Sequence, residues 1–116
     1  MNWTNFFTNR LTRGRLSAAA LQNVADSAAQ HGLRAVVRRT LHRAAGMRVS
    51  EARGYIRARA AQVMHEIVDR ELQQRSAPHA HYRSEIIERA TEAVIGLTIR
   101  ELASHPIELR RPAKAA

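Results

Sequence analysis

The residues best suited to metal chemistry are His65 and Asp69, four positions apart in the segment HEIVD. On a helix the two would share one face, like the paired ligands of a zinc-protease helix with Asp in place of the second His. A third ligand at a suitable spacing is missing, and His65 falls in an apolar stripe, where a hydrogen-bonded packing histidine is commoner. His79 and His81 are also too few for structural zinc, which takes four ligands. We therefore predict no metal site.

Other patterns of catalysis and cofactor binding are also missing from the sequence. The chain has no cysteine, which excludes thiolate nucleophiles, disulfides and Cys-ligated metals. Its five glycines are scattered singly, so none forms a Gly-rich phosphate loop, and no local serine motif appears. The sequence predicts a non-enzymatic protein without a cofactor.

Arginine is the dominant charged residue, and its distribution is uneven. The net charge is +9, and Lys114 is the only lysine. Residues 1–50 hold eight arginines and one acid, a balance of 8 − 1 = +7, whereas residues 51–116 hold eleven basic and nine acidic residues, a balance of 11 − 9 = +2. Such asymmetry points to an anionic partner for the first half.

The candidate anion-binding residues cluster in one predicted helix and extend into the next. They are Arg34, Arg38, Arg39, His42 and Arg43, with Arg53 and Arg57. Guanidinium groups suit carboxylates and phosphates alike, so the partner is either an acidic protein or a nucleic acid. A structural alternative is internal pairing with the acidic cluster Glu85, Glu88 and Glu92.

A nucleic-acid partner could be met in two ways. Residues 33–56 can be aligned with a helix-turn-helix that turns at Gly46 and presents Arg53 and Arg57 to DNA. The fit is partial, because His42 replaces a small residue and the second helix is far too long. The other way is purely electrostatic contact with phosphates. The arginines lack interleaved aromatic residues of the kind that single-strand binding prefers.

The elements that must position these residues are helices. We predict an all-α fold: a four-helix bundle-like domain centred on a long third helix, with a short N-terminal aromatic helix. The main helices are predicted at 17–31, 33–45, 50–76 and 84–104. Gly32 and Gly46 are predicted as left-handed helix ends, Ser50 as an N-cap and the turn around Pro78 as a break. The predicted regions are an N-terminal segment, 1–15, a bundle domain, 16–105, and a flexible basic tail, 106–116.

Apolar residues lie on two sides of the predicted third helix, and a second apolar side also appears near the end of the fourth. Helices of this kind are usually buried between neighbours. In so small a chain we expect a second copy to cover the excess, most simply as a two-fold homodimer. The candidate self-association residues are Ala58, Ala61, Val68, Leu72, Ile95, Ile99 and Leu102.

Three aromatic residues stand in the first seven positions, namely Trp3, Phe6 and Phe7. They could close one end of the bundle, or dock on a partner or a membrane surface. No window approaches the ~18 apolar residues of a membrane-spanning helix, and we expect a cytoplasmic protein. A transit peptide stays open, because arginines but no acids occur before Asp26.

Overall fold

The computed structural model describes residues 16–75 and 77–104, and the regular secondary structure of these residues consists of helices alone. The helices are α1 (Ala18–Ala44), α2 (Val49–Gln73), the short α3 (Ala77–His81) and α4 (Arg83–Ala103). The predicted all-α class is therefore confirmed. The predictions for segment 1–15, with Trp3, Phe6 and Phe7, and for tail 106–116 lie outside the described residues.

Helix α1 runs through Gly32, so the predicted break there is wrong. None of the described glycines has a positive φ, and the backbone at Gly32 stays helical. Close packing of α2 accounts for the glycine. A Cβ atom at Gly32 would lie 2.8 Å from Ile67 Cδ1 and 3.2 Å from Val63 Cγ1, and closer still to Met64 Cε. The two helices predicted at 17–31 and 33–45 are consequently one helix, which brings the long helices to three.

Contacts between side chains define the directions of the three long helices. Residues 31 and 71 meet at one end of the α1–α2 pair and residues 39 and 55 nearer the other, so these helices are antiparallel. Contacts between residues 69 and 83 and between 57 and 92 make α2 and α4 antiparallel as well. Each of the three long helices packs on the other two. The structure is a three-helix bundle with α3 in the second connection.

The helix ends agree with the sequence in some places and differ in others. Ser17 caps α1, accepting a hydrogen bond from the Ala20 amide at 3.0 Å. Helix α2 begins at Val49, one residue earlier than expected, so Ser50 lies in its first turn and Arg48 occupies the N-cap position. Gly46 lies in the turn after α1 without a left-handed conformation. Helix α2 continues through Gly54 as predicted, but it is the second long helix, not the third.

The apolar residues assigned to self-association are mostly covered within the chain. Val68 and Ile95 have no exposed surface, and Leu72 and Leu102 are 9% and 7% exposed. Ile99 and Ala61 are half-buried, and Ala58 is exposed. The expectation that α2 and α4 need a second copy to cover them is wrong for these buried residues. Each of the three long helices contacts the other two, so apolar residues on two sides of one helix are covered within the chain.

The last two turns of α2 are also covered within the chain. They carry Val68 and Leu72 in the core and Glu71 against α1. None of the described helices combines the length and the apolar character needed to cross a bilayer.

Candidate anion-binding surface

The second half of α1 exposes a group of cationic side chains on its solvent side. Its positions 34, 38, 39, 42 and 43 are all exposed, as the sequence predicted for a surface site. At 3.6 residues per turn these positions span roughly half the circumference of the helix. We call this group, together with Arg59 of α2, the arginine surface: Arg34, Arg38, Arg39, His42, Arg43 and Arg59.

Tyr55 joins Arg59 to the cations of α1. Its hydroxyl donates a hydrogen bond to the main-chain carbonyl of Arg39 at 3.4 Å. The guanidinium of Arg59 lies over the Tyr55 ring, 5.4 Å from its centre, in a cation–π contact. Arg59 is absent from the sequence-predicted site, although the four-residue spacing from Tyr55 to Arg59 is a signal that a helix brings the two together.

Among the described residues, no ion pair involves a member of the arginine surface. Glu92 pairs with Arg57, and Glu85 lies 4.0 Å from Arg89 on its own helix. The structural alternative, internal pairing of the α1 arginines with Glu85, Glu88 and Glu92, is therefore not formed. Glu92 instead faces α2, where its carboxylate bonds to Arg57.

A shallow groove borders the surface on the α4 side. Leu33 and Val37 line it, with Arg34 and Arg38 beside them and Glu101 across from them. Glu101 is the carboxylate placed near these arginines, and it forms an ion pair with neither of them. At the opposite edge, Arg39 lies next to α2, the helix that carries Arg59.

Arg53 and Arg57 do not join this group. Arg57 faces α4 and bonds to Glu92, whose hydrogen bond and charge raise the pKa of the Arg57 guanidinium. Arg53 is exposed one turn earlier on the same flank of α2. The predicted site therefore divides, with its α1 members in one surface and its α2 members on another.

The turn between α1 and α2 is an antiparallel helix hairpin, not a helix-turn-helix. A helix-turn-helix sets its two helices at about 90–120° to each other. Here α2 lies alongside α1, with contacts from Tyr55 at one end to Glu71 at the other. The long α2 therefore has its N-terminal turns packed on α1, and the helix-turn-helix interpretation of residues 33–56 is wrong.

His65 and Asp69 lie on α2 as predicted, but Arg83, the first residue of α4, contacts both side chains. Arg83 donates two hydrogen bonds to the Asp69 carboxylate, at 2.5 and 3.0 Å, and its guanidinium lies 3.3 Å from His65 Nδ1. Those hydrogen bonds lower the pKa of Asp69, against a smaller opposing effect of burial. Across residues 16–75 and 77–104 no group of three or more His, Asp or Glu side chains is arranged to bind a metal.

Among the carboxylates of the described ion pairs, that of Glu71 is the most buried, and it lies between α1 and α2. It accepts a hydrogen bond from Ser27 at 3.2 Å, lies 2.7 Å from His31 Nδ1 and pairs with Arg75 at 3.3 Å. Burial opposes its ionisation, but the three partners together outweigh burial and leave the pKa of Glu71 below its ordinary value. This cluster joins two helices, and its serine donates to the carboxylate, not to the histidine, so it is not a nucleophilic triad.

Comparison of this chain with models of protein families, with curated proteins and with solved structures finds no match.

Proposed function

We propose that this protein is a non-enzymatic helical binding protein whose arginine surface holds an acidic partner. The observation that supports this best is the set of five arginines, on two neighbouring helices, that are exposed and in no ion pair of the described residues. They are Arg34, Arg38, Arg39, Arg43 and Arg59.

The arrangement is electrostatically unfavourable for the free chain. Like charges four residues apart destabilise a helix by a few tenths of a kcal/mol, and α1 carries two such pairs, Arg34 with Arg38 and Arg39 with Arg43. Two arginines outside this surface, Arg57 and Arg83, form ion pairs across helices. A bound polyanion would remove the repulsion at the arginine surface, and this is the physical basis of the proposal.

The test is a calorimetric titration of the full chain with two probes, inorganic polyphosphate and poly-L-glutamate, at about 50 mM salt. We expect at least one probe to bind, and the double variant Arg38→Gln with Arg39→Gln to bind it at least about tenfold more weakly, because each lost cation removes about one counterion-releasing contact.

A charge-matched control distinguishes binding at the arginine surface from attraction by the net charge of the whole chain. The pair Asn23→Asp with Arg70→Gln lowers the net charge by the same two units, at exposed positions toward the other end of the α1–α2 hairpin. We expect it to bind like the unmodified chain. Equal weakening of the two double variants, or no binding of either probe, would overturn the proposal.

A further inference from the structure

The cations on α1 form two rows. Arg34 and Arg38 are four residues apart and lie one above the other, and so do Arg39 and Arg43. Five positions separate Arg34 from Arg39, which places the rows about 140° apart around the helix. His42 is exposed between them. This half of α1 therefore carries positive charge on two flanks instead of one.

The exposed chemistry of this surface favours a nucleic acid over an acidic protein. Interfaces between proteins have an apolar core, whereas protein–DNA interfaces are more polar and far more positively charged. Here the exposed groups are guanidiniums and an imidazole, and the adjoining Leu33 and Val37 are half-buried. Val49, 66% exposed at the start of α2, is the one large apolar side chain exposed in the described part of the chain.

A double strand suits the surface better than a single strand. Single-strand binding depends on aromatic rings on which bases can stack. The ring available here, that of Tyr55, is half-buried between α1 and α2 and already carries Arg59 on its face. Phosphate contact, which needs cations alone, is what the surface supplies.

We propose that the acidic partner is double-stranded DNA, held through its phosphates with the second half of α1 lying in the major groove; this inference rests on the proposed function. An α-helix with its side chains is about 10–12 Å wide, and the B-form major groove is about 12 Å wide. In that position the two arginine rows face the phosphates of the two strands. The major groove of A-form RNA is too narrow to admit the helix. Arginine contacts with phosphates carry no base information, so binding is independent of sequence.

The experiment is an anisotropy titration of a labelled mixed-sequence DNA duplex with the full chain at several salt concentrations. The four arginines of the two rows, with Arg59 of α2, supply five arginine–phosphate contacts, which give a slope of log affinity against log salt of about −4.5, or a loss of about 500-fold between about 50 and about 200 mM salt. Arg38→Gln with Arg39→Gln should reduce the magnitude of the slope by about 1.8. The control Asn23→Asp with Arg70→Gln should leave it unchanged.

A second variant tests the kind of contact. Arg38→Lys with Arg39→Lys keeps the charge and should retain nearly the full slope, because a phosphate contact needs a cation and not a bidentate fork. Circular dichroism and thermal melting of every variant establish that it is folded. A folded lysine variant that loses the slope as fully as the glutamine variant would overturn the phosphate contacts.

Three other probes decide the identity of the partner. Single-stranded DNA, an RNA duplex and poly-L-glutamate should each bind at least about tenfold more weakly than the DNA duplex at equal salt. Equal affinity for the single strand or the RNA duplex would overturn the major-groove assignment. Equal or tighter binding of poly-L-glutamate would overturn DNA as the partner and leave the proposed function standing, whereas binding of no polyanion at all would overturn both.

Discussion

Glu71 is the most enclosed carboxylate among the described ion pairs, with 12% of its side chain exposed. Ser27 and His31 of α1 and Arg75, two residues beyond α2, surround it. Because its contacts join two helices, its ionisation is linked to the stability of the α1–α2 pair. A carboxylate with a lowered pKa stabilises the folded state at pH values above its unfolded pKa, and this contribution is lost as the pH falls through the folded pKa.

We therefore expect the free energy of unfolding to fall as the pH is lowered from the ordinary carboxylate pKa, about 4, through the lowered folded-state pKa values of Glu71 and Asp69. Glu71→Gln should lower the stability at neutral pH by about 1 kcal/mol and should also reduce this dependence on pH. Urea denaturation at several pH values measures both effects. Glu66→Gln is the control, since Glu66 is exposed and in no described ion pair. An identical pH dependence in the two variants would contradict this role of Glu71.

At the scale of the element, the continuity of α1 determines the architecture. Gly32 lies in the helix interior, where glycine costs about 1 kcal/mol relative to alanine. The cost is offset by the approach of Met64, Ile67 and Val63 to its backbone. Gly54 of α2 also lies in a helix, but no atom would lie within 4 Å of a Cβ added there. The two glycines therefore allow the energetic effect of a close helix contact to be separated from that of helix propensity.

We expect Gly54→Ala to stabilise the protein by about 0.5–1 kcal/mol, because alanine is the better helix former and nothing obstructs its methyl group. Gly32→Ala should show no such gain and should destabilise the protein, since its methyl group collides with three side chains of α2. Thermal melting of both variants is the measurement. Equal stabilisation by the two substitutions would show that α2 does not pack closely on Gly32.

At the scale of the whole molecule, the three long helices cover one another. Val68, Leu72, Ile95 and Leu102 belong to one core cluster within the chain. The predicted dimer surface retains Ala58, which is exposed, with the half-buried Ala61 and Ile99. A stable dimer interface buries about 800 Å² of surface on each partner, far more than these three side chains offer.

We therefore expect sedimentation equilibrium at micromolar concentration and moderate salt to give the mass of a single chain. The variant Ala58→Arg should sediment in the same way. A mass of two chains in the unmodified protein would contradict this expectation. Restoration of the single-chain mass by Ala58→Arg would then show that α2 forms the interface.

The all-α class, the arginine-rich half of α1 and the approximate bounds of α2 and α4 could be predicted from the sequence. Each depends on local information: helix formers in sequence, apolar residues at helical spacing, and Arg34 to Arg43 without an acid among them. The N-cap at Ser17 is local in the same sense, since its hydroxyl reaches an amide three residues away.

Only the tertiary structure decided the roles of Gly32, Arg57 and Glu71, because the partners of each are distant in the chain. The local sequence around Gly32 suggests a helix end. The structure shows instead a close contact between helices, with Met64 and Ile67 packed against this glycine. In the sequence Arg57 belongs to a basic pattern, whereas in the structure its side chain pairs with Glu92, 35 residues away. Charge and periodicity specify which side chains a helix can present, and packing between helices determines which of them remain exposed.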